Sequence, residues 1–221
     1  MKNLVLNLLT ALISTSLISQ NIPSPSEFLG YELGTQFTRH HQVVSYFNEV
    51  ASASEQVKIS SYGSTYEGRE LQLAIISSLE NLSNLEEIKE NHFIQAGLKK
   101  GVASSLEPKS IVWLSYNVHG NEAVGTEAAM KTIYTLISKK SNWLQNTVVI
   151  MDPCINPDGR DRYVNWYNQV KSTPFDSSPL ADEHYEDWPG GRYNHYYFDL
   201  NRDWAWAVSY THLTLPTTPY V

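Results

Sequence analysis

Short apolar segments alternate with segments of helical periodicity along this chain, and that alternation is the strongest constraint on its fold. Strand-like segments occur at residues 71–77 (LQLAIIS), 111–117 (IVWLSYN) and 147–151 (TVVIM). Between the last two, apolar residues recur every three or four positions, which predicts a helix over 123–137. Strands that alternate with helices are typical of an α/β domain with helices on both faces of a sheet. We therefore predict an α/β fold with a mixed, mostly parallel sheet flanked by helices.

The remaining segments extend this prediction. Helical spacing of apolar residues predicts an amphipathic helix over 37–54, and alternation predicts a strand over 57–62. Residues 81–100 are charged and weakly periodic, which indicates a solvated helix or a long connection. Residues 161–198 are rich in Asp, Pro, Gly and aromatic residues with little periodicity, so we expect a long loop there. Loops of this length in a compact domain are usually functional.

Charge and cysteine usage exclude several classes of protein. The formal net charge is −7, and Lys and Arg are scattered without a basic run, so we expect no nucleic-acid partner. The single cysteine, Cys154, allows neither an internal disulfide framework nor a thiolate zinc cage. Its apolar surroundings predict an inert, buried thiol. No feature indicates an oligomer, so we expect a monomer.

The first twenty residues have the pattern of an export signal. Lys2 precedes an uncharged, largely apolar stretch at residues 4–18. Small residues lie near the end of this stretch and directly after it, as they do before the cleavage site of a signal peptide. The stretch is too short and too rich in Ser and Thr for a convincing membrane span, and an amphipathic structural helix is the alternative. We expect residues 1–20 to be a signal peptide. The protein would then be secreted or periplasmic, with no membrane attachment after cleavage.

A His and a Glu lie three residues apart where the strand over 111–117 gives way to the next helix. Ligands of open α/β sheets gather outside the carboxyl ends of the strands, where His119 and Glu122 are expected to lie. An imidazole and a carboxylate on one turn can hold one cation, as in catalytic zinc sites, and Gly120 allows the backbone to bend between them. On these residues alone two other interpretations stay open. Glu122 can be a carboxylate at a helix start, and His119 a satisfied core histidine.

Two further polar clusters follow. The NPDG sequence at 156–159 comes directly after the strand over 147–151, so it also lies at a carboxyl edge, although its composition equally suits a tight turn. The DLNR sequence at 199–202 closes the long aromatic segment. An Arg beside an Asn offers a fork of donors that matches a carboxylate in plane, and a surface ion pair is the alternative.

Taken in order, HGNE at 119–122, NPDG at 156–159 and DLNRDW at 199–204 resemble the zinc metallocarboxypeptidase family, the carboxypeptidase A-like peptidases. The YEGREL sequence at 66–71 is similar to the family's upstream turn and strand. The resemblance extends over about residues 62–206. Each motif alone is weakly specific, but the ordered set is specific. The resemblance implies the family's α/β fold and a peptidase that uses one zinc ion.

The resemblance also implies a role for each matching residue. His119 and Glu122 match the first two zinc ligands, and Asp199 matches the carboxylate that orients the zinc histidine. Asn201 and Arg202 match the pair that binds the free C-terminal carboxylate of a peptide or protein substrate. For the arginine that polarises the scissile carbonyl, the best match is Arg192. Weaker matches are Arg160 and Arg162.

This sequence departs from the family at its C-terminal side. The family has a third zinc ligand, a His, and a Glu base further along, and neither occurs here in a matching context: the His that follows Arg202 is His212. The tail from Val208 resembles the translation of a transposon-end adapter used in sequencing libraries, and a genuine short C-terminus is the alternative. We therefore expect a partial catalytic domain over 21–207, a non-native tail over 208–221 and a sheet incomplete at its C-terminal side. We expect the 221-residue polypeptide to be inactive.

The expected function is hydrolysis of the C-terminal peptide bond of peptides and proteins. Three alternatives remain at the level of sequence. One is a zinc amidohydrolase that deacylates small acylamino acids, and another is a carboxypeptidase of cell-wall peptides. The last is a non-catalytic secreted module that retains the carboxylate-binding pair.

Overall fold

The computed structural model describes residues 22–204, and the apolar segments of the sequence form a four-stranded sheet at its centre. The strands are β1 (Val57–Ser64), β2 (Glu70–Ile76), β3 (Ser110–Ser115) and β4 (Thr147–Asp152), in the order β1-β2-β4-β3. β3 and β4 pair in parallel, whereas β1–β2 and β2–β4 pair antiparallel. The α/β class and the mixed sheet flanked by helices are confirmed. Within residues 22–204 the sheet is less parallel than expected, because the short link between β1 and β2 makes a hairpin.

Six α-helices surround the sheet in the described part of the chain. They are α1 (Pro25–Leu29), α2 (His40–Ala53), α3 (Leu79–Ser83), α4 (Leu85–Gln95), α5 (Val124–Lys139) and α6 (Pro157–Val170). Short 3-10 helices occur at Ser141–Gln145, Asp182–His184 and Leu200–Arg202. The helices predicted over 37–54 and 123–137 are confirmed as α2 and α5. The charged segment over 81–100 forms α4 and the end of α3.

The prediction of one long loop over 161–198 is wrong in its first part, because α6 continues to Val170. The helix begins at the NPDG sequence. Asn156 is the N-cap, its side chain accepts a hydrogen bond from the backbone N–H of Gly159, and Pro157 occupies the first turn. Asn at the cap and Pro in the first turn are a standard helix start. From Lys171 to Asp199 the chain is irregular apart from the short 3-10 helix.

Two apolar clusters lie on opposite faces of the sheet. On one face, α2 and α5 pack against the strands, and the buried residues include Tyr46, Phe47, Met130 and Ile133. On the other face a smaller cluster contains Leu71, Ile155 and Leu200, with Trp113 and Trp204 packed against it. Successive residues of a strand point to opposite faces, which is why Leu71 and Ala74 of β2 enter different clusters. Burial of Leu200 fixes the DLNR sequence against the sheet.

The predicted signal peptide over 1–20 and the predicted tail over 208–221, including His212, lie outside the described residues. None of the helices within residues 22–204 is both long enough and apolar enough to cross a bilayer.

Candidate metal and carboxylate site

The HGNE turn connects β3 to α5 and is shaped by the preceding Asn117. Asn117 adopts a left-handed backbone conformation with φ +57°, which Asn tolerates better than most residues. Its side-chain amide donates to the carbonyl oxygens of His119 (2.7 Å) and Glu122 (3.0 Å). The backbone N–H of Glu122 also donates to the His119 carbonyl at 3.1 Å. The turn is therefore held from inside, and both predicted ligands leave it on the same side.

His119 lies between two carboxylates. Its Nδ1 atom is 2.8 Å from Oε1 of Glu122, and its Nε2 atom is 3.0 Å from Oδ1 of Asp199. The imidazole is largely buried with 9% of its side chain exposed, whereas 66% of the Glu122 side chain is exposed. The structure thus brings together three residues that the sequence placed in two motifs about eighty positions apart.

The environment of His119 fits a bound cation. A neutral imidazole that donates its Nε2–H to Asp199 has a lone pair at Nδ1, and that lone pair faces a carboxylate oxygen of Glu122. Two electron pairs at this distance repel, and a positive charge beside them offsets the repulsion, either a bound cation or the Arg192 guanidinium, whose Nη1 atom is 3.4 Å from Nδ1. Imidazole nitrogen and carboxylate oxygen are ligands that Zn²⁺ accepts. The donor set and its charge therefore fit two ligand positions of a zinc site.

A complete metal site is not formed by residues 22–204. No group of three or more His, Cys, Asp or Glu side chains in this part of the chain is arranged to hold a metal ion. Asp199 does not serve as a third ligand, because it contacts Nε2, on the side of the ring away from the Nδ1–Glu122 pair. Its position is that of a carboxylate that orients a ligating His.

Asp199 is held in its charged form by its neighbours. Burial would raise the pKa of its carboxyl group, but hydrogen bonds from His119, Arg192 and the backbone N–H of Asn201 outweigh this effect and lower the pKa below its ordinary value. An ionised Asp199 is the better acceptor for the imidazole N–H. The hydrogen bond from Asn201 forms because Asp199 caps the 3-10 helix Leu200–Arg202.

Arg192 lies beside the same imidazole. Its Nη2 atom donates to Oδ2 of Asp199 at 3.0 Å, and its Nη1 atom is 3.4 Å from Nδ1 of His119. The guanidinium is about one-third exposed. With five N–H donors in all, Arg192 keeps donors for a further acceptor next to the His119–Glu122 pair.

The two weaker candidates for this arginine, Arg160 and Arg162, bond to other groups. Arg160 is fully buried, and its guanidinium donates to the carbonyl oxygens of Thr38 and Ala123 and to the Glu127 carboxylate. Arg162 donates to the carbonyl oxygens of Gly190 (2.9 Å) and Asn194 (3.5 Å). Both arginines therefore support the surrounding backbone.

Asn201 and Arg202 face solvent at one end of the site. The Nη1 atom of Arg202 contacts the carbonyl oxygen of Asn201 at 3.4 Å, and within residues 22–204 Arg202 has no ion pair. The Asn201 side-chain oxygen accepts from Nε1 of Trp204 at 3.2 Å. The backbone N–H of Asn201 donates to Oδ1 of Asp199 at 3.0 Å, so the pair is connected to the residue that contacts His119, and the Arg202 side chain is exposed.

Asn156 connects the start of the HGNE turn to the segment that carries Arg192, and it was missed as a site residue at the level of sequence. In addition to capping α6, its side-chain amide donates to the carbonyl oxygens of Val118 (3.2 Å) and Arg192 (3.1 Å). It therefore fixes the residue before His119 and the backbone of Arg192. The available sequence signal was its position directly after β4, at the carboxyl edge of the sheet.

The thiol of Cys154 is buried, as predicted, and is not bonded to another cysteine. Burial raises its pKa well above the ordinary value. The thiolate, the reactive form, is therefore disfavoured, and Cys154 belongs to the packing beneath the site.

The fold and this site define an α/β domain that carries an imidazole–carboxylate pair at the carboxyl edge of its sheet. Residues 43–218 match the model of the zinc carboxypeptidase family, and the chain belongs to that family. No curated protein sequence matches the chain.

Similar solved structures are carboxypeptidases. Carboxypeptidase A from Helicoverpa armigera is 19% identical, and the alignment covers 87% of this chain and 36% of that chain with a TM-score of 0.48. A metallo-carboxypeptidase from Burkholderia cenocepacia is 15% identical, with 76% and 33% covered and a TM-score of 0.46. A carboxypeptidase A-type structure from Shewanella denitrificans is 14% identical, and the alignment covers 77% of this chain and 32% of that chain with a TM-score of 0.46. The chain spans about a third of the length of each.

Proposed function

We propose that the full-length protein is a zinc-dependent metallocarboxypeptidase that hydrolyses the C-terminal peptide bond of peptides and proteins. The observation that supports it most directly is the position of His119, with Glu122 at one ring nitrogen and Asp199 at the other. Membership of the zinc carboxypeptidase family supports the same reaction. Because this chain spans about a third of the length of similar solved structures, the activity is proposed for the full-length protein.

In this proposal Nδ1 of His119 and the carboxylate of Glu122 supply two ligands for one zinc ion. Bound Zn²⁺ supplies a Lewis acid that polarises the scissile carbonyl group and lowers the pKa of a water molecule. Asp199 accepts a hydrogen bond from the Nε2–H of His119, which fixes the ring orientation and would leave the Nδ1 lone pair free to bind the ion. The third ligand and the general base are expected in the part of the protein outside residues 22–204.

Arg192 stabilises the charge that develops on the carbonyl oxygen. Its guanidinium already lies beside Nδ1 of His119, so a donor is in place before the reaction begins. A donor fixed in this way costs little reorganisation when the negative charge forms. The ion pair with Asp199 holds the guanidinium in this orientation.

Arg202 and Asn201 bind the terminal carboxylate of the substrate. Arg202 is exposed and has donors in the plane that a carboxylate needs. Binding of that carboxylate restricts attack to the last peptide bond and orients it at the site. We also propose, from the first twenty residues, that the protein is exported and acts on peptides outside the cytoplasm.

The test is to replace each predicted ligand in the full-length protein and measure bound metal together with hydrolysis. We expect His119→Ala and Glu122→Ala each to lower zinc affinity and turnover by at least about a hundredfold, since even the residues that support a ligand change affinity by about tenfold to a hundredfold. His41→Ala, at an exposed position of α2, is the matched control and should change neither. If metal content and hydrolysis both survive the first two substitutions, the proposal is wrong.

A further inference from the structure

We propose that Glu186 is a positioning residue that holds Arg192 beside the His119–Glu122 pair. Glu186 belongs to none of the three motifs, and it lies in the irregular segment between α6 and Asp199. The inference rests on the proposed function of Arg192. The contacts that carry it involve both oxygens of the Glu186 carboxylate.

One carboxylate oxygen of Glu186 fixes the backbone directly before Arg192. Oε1 accepts a short hydrogen bond from the backbone N–H of Gly191. The carbonyl of Arg192 in turn accepts from the side-chain amide of Asn156 at 3.1 Å. The backbone is therefore bonded at Gly191 and at Arg192, and these two bonds restrain the direction in which the Arg192 side chain leaves it.

The other oxygen connects this segment to the metal-ligand turn. Oε2 of Glu186 accepts from Nδ2 of Asn121 at 3.0 Å, and Asn121 lies between His119 and Glu122 in the sequence. A single carboxylate thus joins the turn that carries both predicted ligands to the residue before Arg192. Because a charged acceptor makes stronger hydrogen bonds than a neutral one, Glu186 is well suited to hold two segments together.

The surrounding backbone is folded closely around this carboxylate. Gly190 has φ +64°, and a Cβ atom there would lie 3.0 Å from the Glu186 carboxyl carbon. At Gly191 a Cβ atom would overlap the backbone of Gly159 and the side chain of Tyr163. The segment can pass between α6 and the HGNE turn because Gly191 has no side chain, whereas glycine at position 190 allows the left-handed backbone conformation beside the carboxylate. The Glu186 carboxylate then bonds this segment to the HGNE turn through Gly191 and Asn121.

If the Glu186 carboxylate only stabilised the fold, its removal would lower kcat by the same factor whether or not Arg192 were present. If it acts through Arg192, its removal would lower kcat only when Arg192 is present. A double-mutant cycle distinguishes the two roles. We therefore compare Glu186→Ala, Arg192→Ala and the double variant in the full-length protein, using N-blocked peptides with free C-termini as substrates. Thermal unfolding of each variant verifies that it is folded.

Glu186→Ala is expected to lower kcat by about tenfold to a hundredfold, with KM changed less than about twofold, because a small displacement of a catalytic donor has effects of that size. In the Arg192→Ala background the same substitution should have no further effect on kcat. Glu186→Gln keeps an acceptor for Gly191, and the Asn121 amide can rotate to pair with its NH₂ group, so this variant should recover most of the activity. Asp187→Asn removes a neighbouring exposed charge and is the matched control.

Two outcomes would overturn the inference. One is that Glu186→Ala lowers kcat by the same factor in the Arg192→Ala background as in the parent protein. The other is that Asp187→Asn lowers kcat as much as Glu186→Ala does. If Glu186→Ala does not fold, Asn121→Ala, which removes the hydrogen bond to Oε2 of Glu186, takes its place in the cycle, and Glu186→Gln stays the variant that should retain activity.

A measurement without substrate separates this inference from the proposed function. Hydrogen exchange of the Gly191 amide should accelerate at least about tenfold in Glu186→Ala and stay unchanged in Asp187→Asn, because the lost bond protects that amide. Unchanged exchange in Glu186→Ala refutes the link between Glu186 and Arg192, whatever the activity. If the parent protein shows no zinc-dependent hydrolysis while Gly191 exchange responds as expected, the proposed function fails and the structural link stands.

Discussion

Gly120 and Gly159 contact each other backbone to backbone, so that the HGNE turn and the first turn of α6 pack without any side chain between them. A Cβ atom at Gly120 would overlap the backbone of Gly159, Arg160 and Gly191, inside the 3.0 Å that Cβ atoms keep from other heavy atoms. The three glycines come from the three segments that carry the site. Their contact brings His119, α6 and Arg192 together.

Gly120→Ala should therefore destabilise the protein and displace the HGNE turn. Overpacking against side chains costs about 1–3 kcal/mol, and here the overlap is with backbone, so we expect a loss of at least about 3 kcal/mol in the free energy of unfolding. Gly125→Ala is the matched control, because a Cβ atom there would lie 3.3 Å from the Asn117 nitrogen and the residue is in α5. Its effect should stay within about 1 kcal/mol. Urea unfolding of both variants measures the difference, and equal losses would contradict the packing explanation.

Arg160 and Glu127 form a buried ion pair that connects α6 to α5. The Nη2–Oε1 distance is 2.7 Å, and the two side chains are 0% and 5% exposed. The same guanidinium donates to the carbonyl oxygens of Thr38 and Ala123, so each of its three nitrogens has a partner.

Arg160→Met should cost about 3–5 kcal/mol in the free energy of unfolding, because it leaves the Glu127 charge buried without its partner. In the Glu127→Leu background the same substitution should cost clearly less, since the unpaired charge is then absent. Arg162→Met is the control: Arg162 is partly exposed and bonds chiefly to carbonyl oxygens, so its loss should cost about 1 kcal/mol. Equal costs of Arg160→Met with and without Glu127 would show that the ion pair is not the source of the effect.

The sequence could predict the strands, α2, α5 and the elements that carry the candidate ligands, because apolar periodicity reflects which side of an element is buried. It placed His119, Glu122 and Asp199 in one site through a resemblance of ordered motifs, and the structure brings the three side chains together. The start of α6 was missed because Asn, Pro, Asp and Gly suit a turn and a helix N-terminus equally well.

Contacts between distant segments could not be predicted from the sequence. Gly120 was expected to allow a sharp bend, whereas its backbone is not in the left-handed region and its lack of a side chain serves packing. The partners of Glu186 are a backbone N–H five residues away and an amide sixty-five residues away. Neither leaves a pattern in the sequence, since a backbone N–H is present at almost every position.

Asp152 should make stability depend on pH. Burial raises the pKa of its carboxyl group from 3.8 to about 7, although hydrogen bonds from the Tyr62 hydroxyl and the Cys154 backbone lower it in part. A pKa raised in the folded state means that folded molecules bind more protons than unfolded ones between these two values. The stabilising contribution of Asp152 to the free energy of unfolding is therefore fully present below about pH 4 and is lost as pH rises through about 7.

The loss amounts to at most about 4 kcal/mol, since one unit of pKa corresponds to about 1.4 kcal/mol. Asp152→Asn keeps an oxygen for the Cys154 N–H and cannot ionise, so it should unfold at a higher urea concentration than the parent at pH 8. Comparison of the two proteins at pH 5 and pH 8 gives the pH-dependent difference directly. A difference between them that does not grow with pH would contradict a raised pKa at Asp152.

Arg202 and Arg192 should affect different kinetic constants if the proposed function is correct. Arg202 would bind the substrate carboxylate, which is charged before and during the reaction, so Arg202→Ala should raise KM for peptides with free C-termini. A charge-assisted hydrogen bond contributes about 1.5–3 kcal/mol, which corresponds to about tenfold to a hundredfold in KM. Arg192 would contact the carbonyl oxygen only as charge develops there, so Arg192→Ala should lower kcat by about a hundredfold to a thousandfold.

Arg39→Ala, whose side chain bonds to Asn165, is the control and should change neither constant. Peptides with amidated C-termini complete the test: Arg202→Ala should hydrolyse them as slowly as the parent does. If Arg202→Ala lowers the hydrolysis of free and amidated peptides by the same factor, Arg202 does not bind the terminal carboxylate.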